Sequence, residues 1–257
     1  MQPVLAVCPI NPFWWPVKAD LGKGIEHAIT GAHGTDHFQS VYFHKGGRSV
    51  EAKQAAYIGA LATAIEAAAR RYGAFVALVG MEALDRKACE ALGARLPSDL
   101  GRGLFVSDEH DLHEMVSILW QSRALVSSRY HAIVTSMAGG VASLGVTMDE
   151  RITNLFDQRG EPELVLKVDA PDLAGALGPL IQRLFERPEP IRQNMRRTVA
   201  DNLRVMGTMG MTLVEAVRAR HPEFPIRPGL GEVAGADPLA HLPPLGPVVR
   251  SHLESHA

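Results

Sequence analysis

Short apolar runs alternate along the chain with longer segments whose apolar residues recur every three to four positions. The short runs predict buried strands and the longer segments predict amphipathic helices. Six runs fit strands, and they cover residues 4–10, 74–79, 104–106, 124–127, 141–146 and 164–168. The helical pattern covers most of the chain between and after them, at residues 22–30, 49–72, 83–92, 130–138, 149–157, 172–187 and 191–220, with a further helix through Leu112, Met115 and Leu119. A long loop is expected over residues 31–47, extended only near 40–43.

Strands that alternate with helices predict an α/β fold with a parallel sheet. Six strands with helices on both faces are typical of a Rossmann-like layer. We therefore expect a Rossmann-like α/β domain over residues 1–190, a C-terminal helical extension over 191–220 and an irregular tail over 221–257. The tail is distinguished by its composition, because seven of the 17 prolines lie in those last 37 residues.

Composition narrows the class of protein. The 26 basic and 28 acidic side chains leave a net charge of −2, which argues against general nucleic-acid binding. The two cysteines, Cys8 and Cys89, match no zinc or redox motif, which is typical of a reducing compartment. Residues 132–148 form an uncharged run of 17 residues, which is too short to span a membrane comfortably. With no basic segment before the first apolar run, we expect a cytoplasmic protein.

Candidate chemistry concentrates where the fourth predicted strand meets the next helix. The sequence there is Ser-Ser-Arg-Tyr-His-Ala over residues 127–132, so Arg129 and His131 follow the carboxyl end of a strand. In a sheet of order 3-2-1-4-5-6, ligands bind where the order reverses, between the first and fourth strands. Residues 9–12 and 127–131 should therefore face one crevice. Free amides at a helix start favour an anion there, and a guanidinium suits a carboxylate or phosphate. An internal salt bridge beside a packed imidazole is the structural alternative.

Residues 124–156 resemble the polysaccharide pyruvyltransferase family. The family has a small residue, an Arg, a hydrophobic residue and a His after a strand, which correspond to residues 128–131. A Gly-Val segment follows about ten residues on, then a strand that ends in Gly-Val, an acidic residue and a Phe, as in residues 140–156. Residues 163–169 and the helix after them also resemble the family, and the likeness extends over about residues 4–205.

The resemblance implies one half of a fold similar to the B-type glycosyltransferases. Such enzymes transfer a pyruvyl group from phosphoenolpyruvate to two hydroxyls of a sugar as a cyclic ketal, without a cofactor or metal. By this likeness Arg129 holds the phosphoenolpyruvate anion and His131 protonates its methylene carbon. The positive end of the helix favours the neutral imidazole of His131, whereas a bound anion favours the protonated ring. We therefore expect His131 to become protonated when the substrate binds.

The sequence departs from the family in ways that affect the substrate site. The family often has an Arg after the first strand, whereas this chain has Asn11 there, so Lys18 or Arg48 is expected to supply the second cation. Asn11, Ser128 and Asp149 complete the expected substrate-binding set. The acceptor is expected to be a sugar or lipid-linked saccharide of a cell-surface polysaccharide, reached in the cytoplasm or at the inner membrane face.

The chain matches only the second half of the family's fold. A second copy of the chain or a separate chain that supplies the N-terminal half is therefore the expected protein partner. Two other functions remain open. One is half of a nucleotide-sugar glycosyltransferase or epimerase, with Asp149 or Glu150 near a ribose. The other is a non-catalytic interaction protein.

Two further groups of residues have open roles. The adjacent Trp14 and Trp15 either stack on a sugar ring or wedge their loop onto the domain. The histidines at positions 33, 37 and 44 match no known metal-site spacing.

Overall fold

The computed structural model describes residues 2–34, 37–225 and 237–254. Its strands are β1 (Val4–Cys8), β2 (Lys18–Ala19), β3 (His37–Gln39), β4 (Tyr42–Phe43), β5 (Phe75–Gly80), β6 (Arg102–Val106), β7 (Ala124–Ser127), β8 (Ala142–Thr147) and β9 (Val165–Lys167). Its α-helices are α1 (Leu21–Thr30), α2 (Arg48–Tyr72), α3 (Arg86–Gly93), α4 (Leu112–Trp120), α5 (Tyr130–Ala138), α6 (Glu150–Gln158), α7 (Leu173–Glu186), α8 (Pro188–Arg220) and α9 (Pro247–Glu254).

Six of these strands form one parallel sheet in the order β6-β5-β1-β7-β8-β9. Numbered along the chain, that order is 3-2-1-4-5-6, so the predicted Rossmann-like fold is confirmed. The central strand β1 pairs with β5 on one side and β7 on the other, which places Ala6 beside Ala77 and Leu125. All three side chains are buried, as expected for strands covered on both faces. The strand order reverses between β1 and β7.

Helices cover both faces of this sheet. Helix α2 packs between α3 and α7, whereas α4 packs against α5, which in turn contacts α8. The sheet is built outward from β1 and from β7 in opposite directions, and crossovers of the usual right hand then place their helices on opposite faces. Among the described residues, no helix is both long and apolar enough to cross a membrane.

A small second unit is inserted between β1 and α2. It contains a 3-10 helix (Pro12–Trp14), the helix α1 and an antiparallel sheet of order β2-β4-β3. The expected loop over residues 31–47 is therefore wrong for β3, whereas β4 lies within residues 40–43, which were expected to be extended, and residues 35–36 lie outside the described part. Aromatic contacts organise the segment, because Trp14 stacks on His44 with ring centroids 4.7 Å apart and Trp15 meets Phe38 at 4.9 Å. These contacts favour the wedge role for Trp14, which stacks on the buried His44 ring, whereas Trp15 remains 38% exposed.

The C-terminal region contains more regular structure than its composition suggests. We expected an irregular tail over residues 221–257, whereas the structure has a 3-10 helix (Pro238–His241) and α9. The expectation is therefore wrong for these two elements, and residues 226–236 and 255–257 lie outside the described part. Helix α9 docks at the end of α5, where the buried His252 ring Nε2 lies 2.8 Å from the Ala138 carbonyl oxygen.

Candidate functional site

A cleft of about 380 Å³ lies at the carboxyl ends of β1, β7 and β8, where the strand order reverses. Its walls include Ile10, two residues after β1, together with the start of α5 and the start of α6. Its lining side chains are Ile10, Trp15, Glu82, Ser128, Arg129, Tyr130, His131, Thr147, Met148, Asp149 and Arg151. Arg129 and His131 thus share one cleft, at the edge where open parallel sheets bind ligands.

Two carboxylates hold the Arg129 side chain. Its Nε lies 2.8 Å from Asp85 Oδ2, its Nη2 also bonds Asp85, and its Nη1 lies 3.0 Å from Glu82 Oε1. Asp85 is 2% exposed and ends a 3-10 helix (Ala83–Asp85) that follows β5. The internal salt bridge considered from the sequence is therefore present, yet the Arg129 side chain remains 22% exposed and lines the cleft.

The two charges of the buried pair influence each other. Burial raises the pKa of the Asp85 carboxyl above its ordinary value, although hydrogen bonds from Arg129 act in the opposite direction. Burial alone would lower the pKa of Arg129, but its bonds to Asp85 and the charge of Glu82 raise it. Arg129 is therefore a cation at neutral pH.

His131 is the second residue of α5, and its ring is exposed at the cleft. The ring of Tyr130 lies edge-on to it, with centroids 5.6 Å apart, and the Arg151 guanidinium lies 5.2 Å from the Tyr130 ring. Within the described residues, no side chain caps the first turn of α5. Backbone amides of this turn therefore face the same region as Arg129, which favours an anion.

Ser128 has a different environment from the one expected of a ligand-binding residue. It is buried, its Oγ lies 2.7 Å from the Tyr57 hydroxyl oxygen, and it donates to the Val146 carbonyl. The hydroxyl thus joins α2, the start of α5 and β8. Burial also raises the pKa of Tyr57, so that phenol remains protonated and donates to Ser128.

Asp149 is the N-cap of α6 and forms a local ion pair. Its Oδ1 accepts from the Arg151 amide at 2.8 Å, and its Oδ2 lies 2.6 Å from Arg151 Nη2. Hydrogen bonds from Arg151 lower the pKa of the Asp149 carboxyl. The pair adds a carboxylate and a guanidinium to the cleft wall, with no net charge.

The other expected substrate-binding residues lie away from this cleft. Asn11 caps the 3-10 helix, accepting from the Phe13 amide at 3.1 Å, and lines a separate cavity of about 430 Å³ beside the start of α2. Lys18 is exposed in β2 and Arg48 is exposed at the start of α2. The second cation that lines the cleft is Arg151, which our sequence analysis missed. Its position two residues after Asp149, beyond the fifth strand of the sheet, was the available signal.

The chain was also compared with known proteins. No protein-family model matches it, and no curated protein is significantly similar to it in sequence. Among the described residues, no group of three or more His, Cys, Asp or Glu side chains is arranged to hold a metal ion.

Proposed function

We propose that the protein is a polysaccharide pyruvyltransferase-like enzyme that takes phosphoenolpyruvate in the cleft between β1 and β7. The observation that carries the proposal is the shared position of Arg129 and His131 at the reversal of strand order. A permanent cation, uncapped helix amides and an exposed imidazole suit a small anion that must also receive a proton.

The reaction assigns one role to each of these two residues. Arg129 binds the carboxylate or phosphate of phosphoenolpyruvate and orients its double bond. His131 donates a proton to the methylene carbon while a sugar hydroxyl adds to the neighbouring carbon. The bond between that carbon and the phosphate oxygen then breaks, inorganic phosphate leaves, and a second hydroxyl of the sugar bonds to the same carbon and closes the ketal ring. Of the two protons that the hydroxyls release, one returns to His131 and the other goes to the departing phosphate. Trp15 and Tyr130 offer aromatic faces in the same cleft for the sugar ring.

Ligand-dependent thermal unfolding tests the anion part of the proposal. A ligand that binds only the folded protein raises its Tm, so phosphoenolpyruvate is expected to raise it and UDP-sugars are not. The Arg129→Gln variant should lose the shift, whereas Arg196→Gln, in the exposed pair of Arg196 with Glu189, should keep it. A shift with UDP-sugars alone would favour the nucleotide-sugar alternative and contradict the proposal.

A transfer assay tests the role of His131. With phosphoenolpyruvate and a saccharide acceptor, the His131→Asn variant should release phosphate at least about 100-fold more slowly than the wild type, while still binding phosphoenolpyruvate. His113→Asn is the matched control, because His113 is exposed on α4 and does not line the cleft. Turnover in His131→Asn with an unchanged pH profile would exclude the proton-donor role.

One observation favours a second function, that of an interaction protein. Helix α1 has no buried residue, and Leu21, Ile25 and Ile29 are 70%, 63% and 78% exposed at a spacing that aligns them on one face. Large exposed apolar faces mark contact surfaces. If neither phosphoenolpyruvate nor UDP-sugars shift the Tm, the interaction function becomes the better explanation.

A further inference from the structure

Arg129 is bound by two carboxylates that differ sharply in exposure. Asp85 is 2% exposed and bonds Nε and Nη2, which fixes the direction of the guanidinium. Glu82 is 53% exposed and reaches Nη1 with one oxygen at 3.0 Å. The buried partner holds the side chain in place, whereas the exposed partner covers the nitrogen that Asp85 leaves accessible.

Glu82 also lies in the cleft, and Asp85 does not line it. The Glu82 carboxylate therefore sits on the part of Arg129 that an anionic ligand has to reach. The Glu82 carboxylate is the exposed partner of this pair, so water can solvate it when it leaves Arg129. The Glu82 side chain also accepts from the Asp85 amide in the capping box of the 3-10 helix, and a ligand that displaces the carboxylate from Nη1 leaves the Asp85 bonds to Nε and Nη2 in place.

We infer that Glu82 is an internal competitor for the anion site, which occupies Arg129 in the free protein and is displaced by the ligand's carboxylate or phosphate. The inference rests on the proposed function for the identity of the ligand. Glu82 thereby lowers the affinity of the site for every anion, because each ligand has to displace the same carboxylate, and its negative charge repels ligands with two or more negative charges most strongly. A bound dianion gains additional contacts from the α5 amides that offset the displacement.

Binding measurements on matched variants test this role. Glu82→Gln keeps the shape of the side chain and removes its charge, so it should bind phosphoenolpyruvate at least about threefold more tightly than the wild type. Its affinity for phosphoenolpyruvate should rise by at least as large a factor as its affinity for acetate, because the removed charge repels the more highly charged ligand more strongly. Glu189→Gln is the control, because Glu189 is 59% exposed and its carboxylate lies 2.9 Å from the Arg196 guanidinium. Neither residue of this pair lines the cleft. The control should bind both anions as the wild type does.

The outcomes separate the inference from the proposed function. If the wild type binds phosphoenolpyruvate through Arg129 and Glu82→Gln binds it no more tightly than Glu189→Gln does, the competitor role is wrong and the function stands. If inorganic phosphate binds more tightly to Glu82→Gln while phosphoenolpyruvate binds to neither protein, the competitor role stands and the function is wrong. If neither anion binds to any variant, both are overturned. The Tm of each free variant reports whether it is folded.

Discussion

The Ser128 hydroxyl provides the sharpest test of how this cleft is built. Although Ser128 touches the cleft, its oxygen accepts from Tyr57 and donates to Val146, and both partners are buried at 2% and 0% exposure. The Ser128→Ala substitution removes one acceptor and one donor at once. It should therefore lower the free energy of unfolding, and change the affinity for phosphoenolpyruvate little.

The magnitude follows from the groups left without partners. A buried polar group that loses its hydrogen bond costs about 1–3 kcal/mol, and Ser128→Ala affects the Tyr57 O–H and the Val146 carbonyl, so we expect a loss of about 2–4 kcal/mol. Tyr57→Phe removes only the phenol and leaves Ser128 bonded to Val146, which should cost about 1 kcal/mol. The double variant should lose about 1 kcal/mol less than the sum of the two single losses.

Urea unfolding measures these differences. With a slope of about 3 kcal/mol per molar urea, a loss of 3 kcal/mol moves the midpoint by about 1 M. Ser117→Ala is the control, because the Ser117 hydroxyl is exposed and bonds only within its own helix, to the His113 carbonyl at 2.7 Å. That control should stay within about 0.5 kcal/mol of the wild type.

Two results would refute this account. The first is a Ser128→Ala midpoint that coincides with those of the wild type and Ser117→Ala. The second is a loss of phosphoenolpyruvate affinity at an unchanged midpoint, which would make Ser128 a ligand-binding residue as first expected from the sequence.

Three further predictions concern the surroundings of the cleft. Asp85→Asn should lower the unfolding free energy by about 3 kcal/mol in urea titrations, because it leaves Arg129 without its buried counter-charge, and a loss below about 1 kcal/mol would contradict that. Gly145→Ala should lower the free energy of unfolding by about 1–3 kcal/mol, because a Cβ there would lie 2.7 Å from Ile152 Cγ2. Gly178 lies in a helix with open space around it, so Gly178→Ala should leave the stability unchanged or raise it. Equal effects of the two substitutions would refute the packing argument. Because Arg151 lowers the folded-state pKa of Asp149, the ion pair stabilises the protein above the unfolded-state pKa of about 3.9, and this contribution disappears as pH falls through the folded-state value. The stability curves of the wild type and Asp149→Asn should therefore converge in acid, and curves that stay parallel down to pH 2 would exclude the linkage.

Much of the architecture could be predicted from the sequence, because burial on a strand or helix leaves a local periodic pattern. The runs at residues 74–79 and 124–127 lie within about one residue of β5 and β7, and the long helical pattern that ends at Tyr72 matches α2. The strand order is the one usual for this fold class, which we assumed in the sequence analysis, and the structure confirms it. Given that order, the local pattern places Arg129 and His131 at its reversal.

The partners of those residues could not be predicted in this way. Asp85 lies 44 positions from Arg129, and Tyr57 lies 71 positions from Ser128, so neither contact leaves a periodic trace. The local sequence pattern also did not show which basic residue would be the second cation of the cleft. Arg151 lines the cleft, whereas Lys18 and Arg48 do not.

The sequence by itself therefore determined the layers and, with the strand order usual for this fold class, the edge of the sheet that carries the Arg-x-His element. Only the tertiary structure showed that Asp85 and Glu82 pair with Arg129. It also showed that the Ser128 hydroxyl bonds to other parts of the protein and that Arg151 is the second cation that lines the cleft. The physical reason is that periodicity records whether a side chain is buried, whereas the charge and hydrogen-bonding state of a site depend on groups brought together from distant parts of the chain.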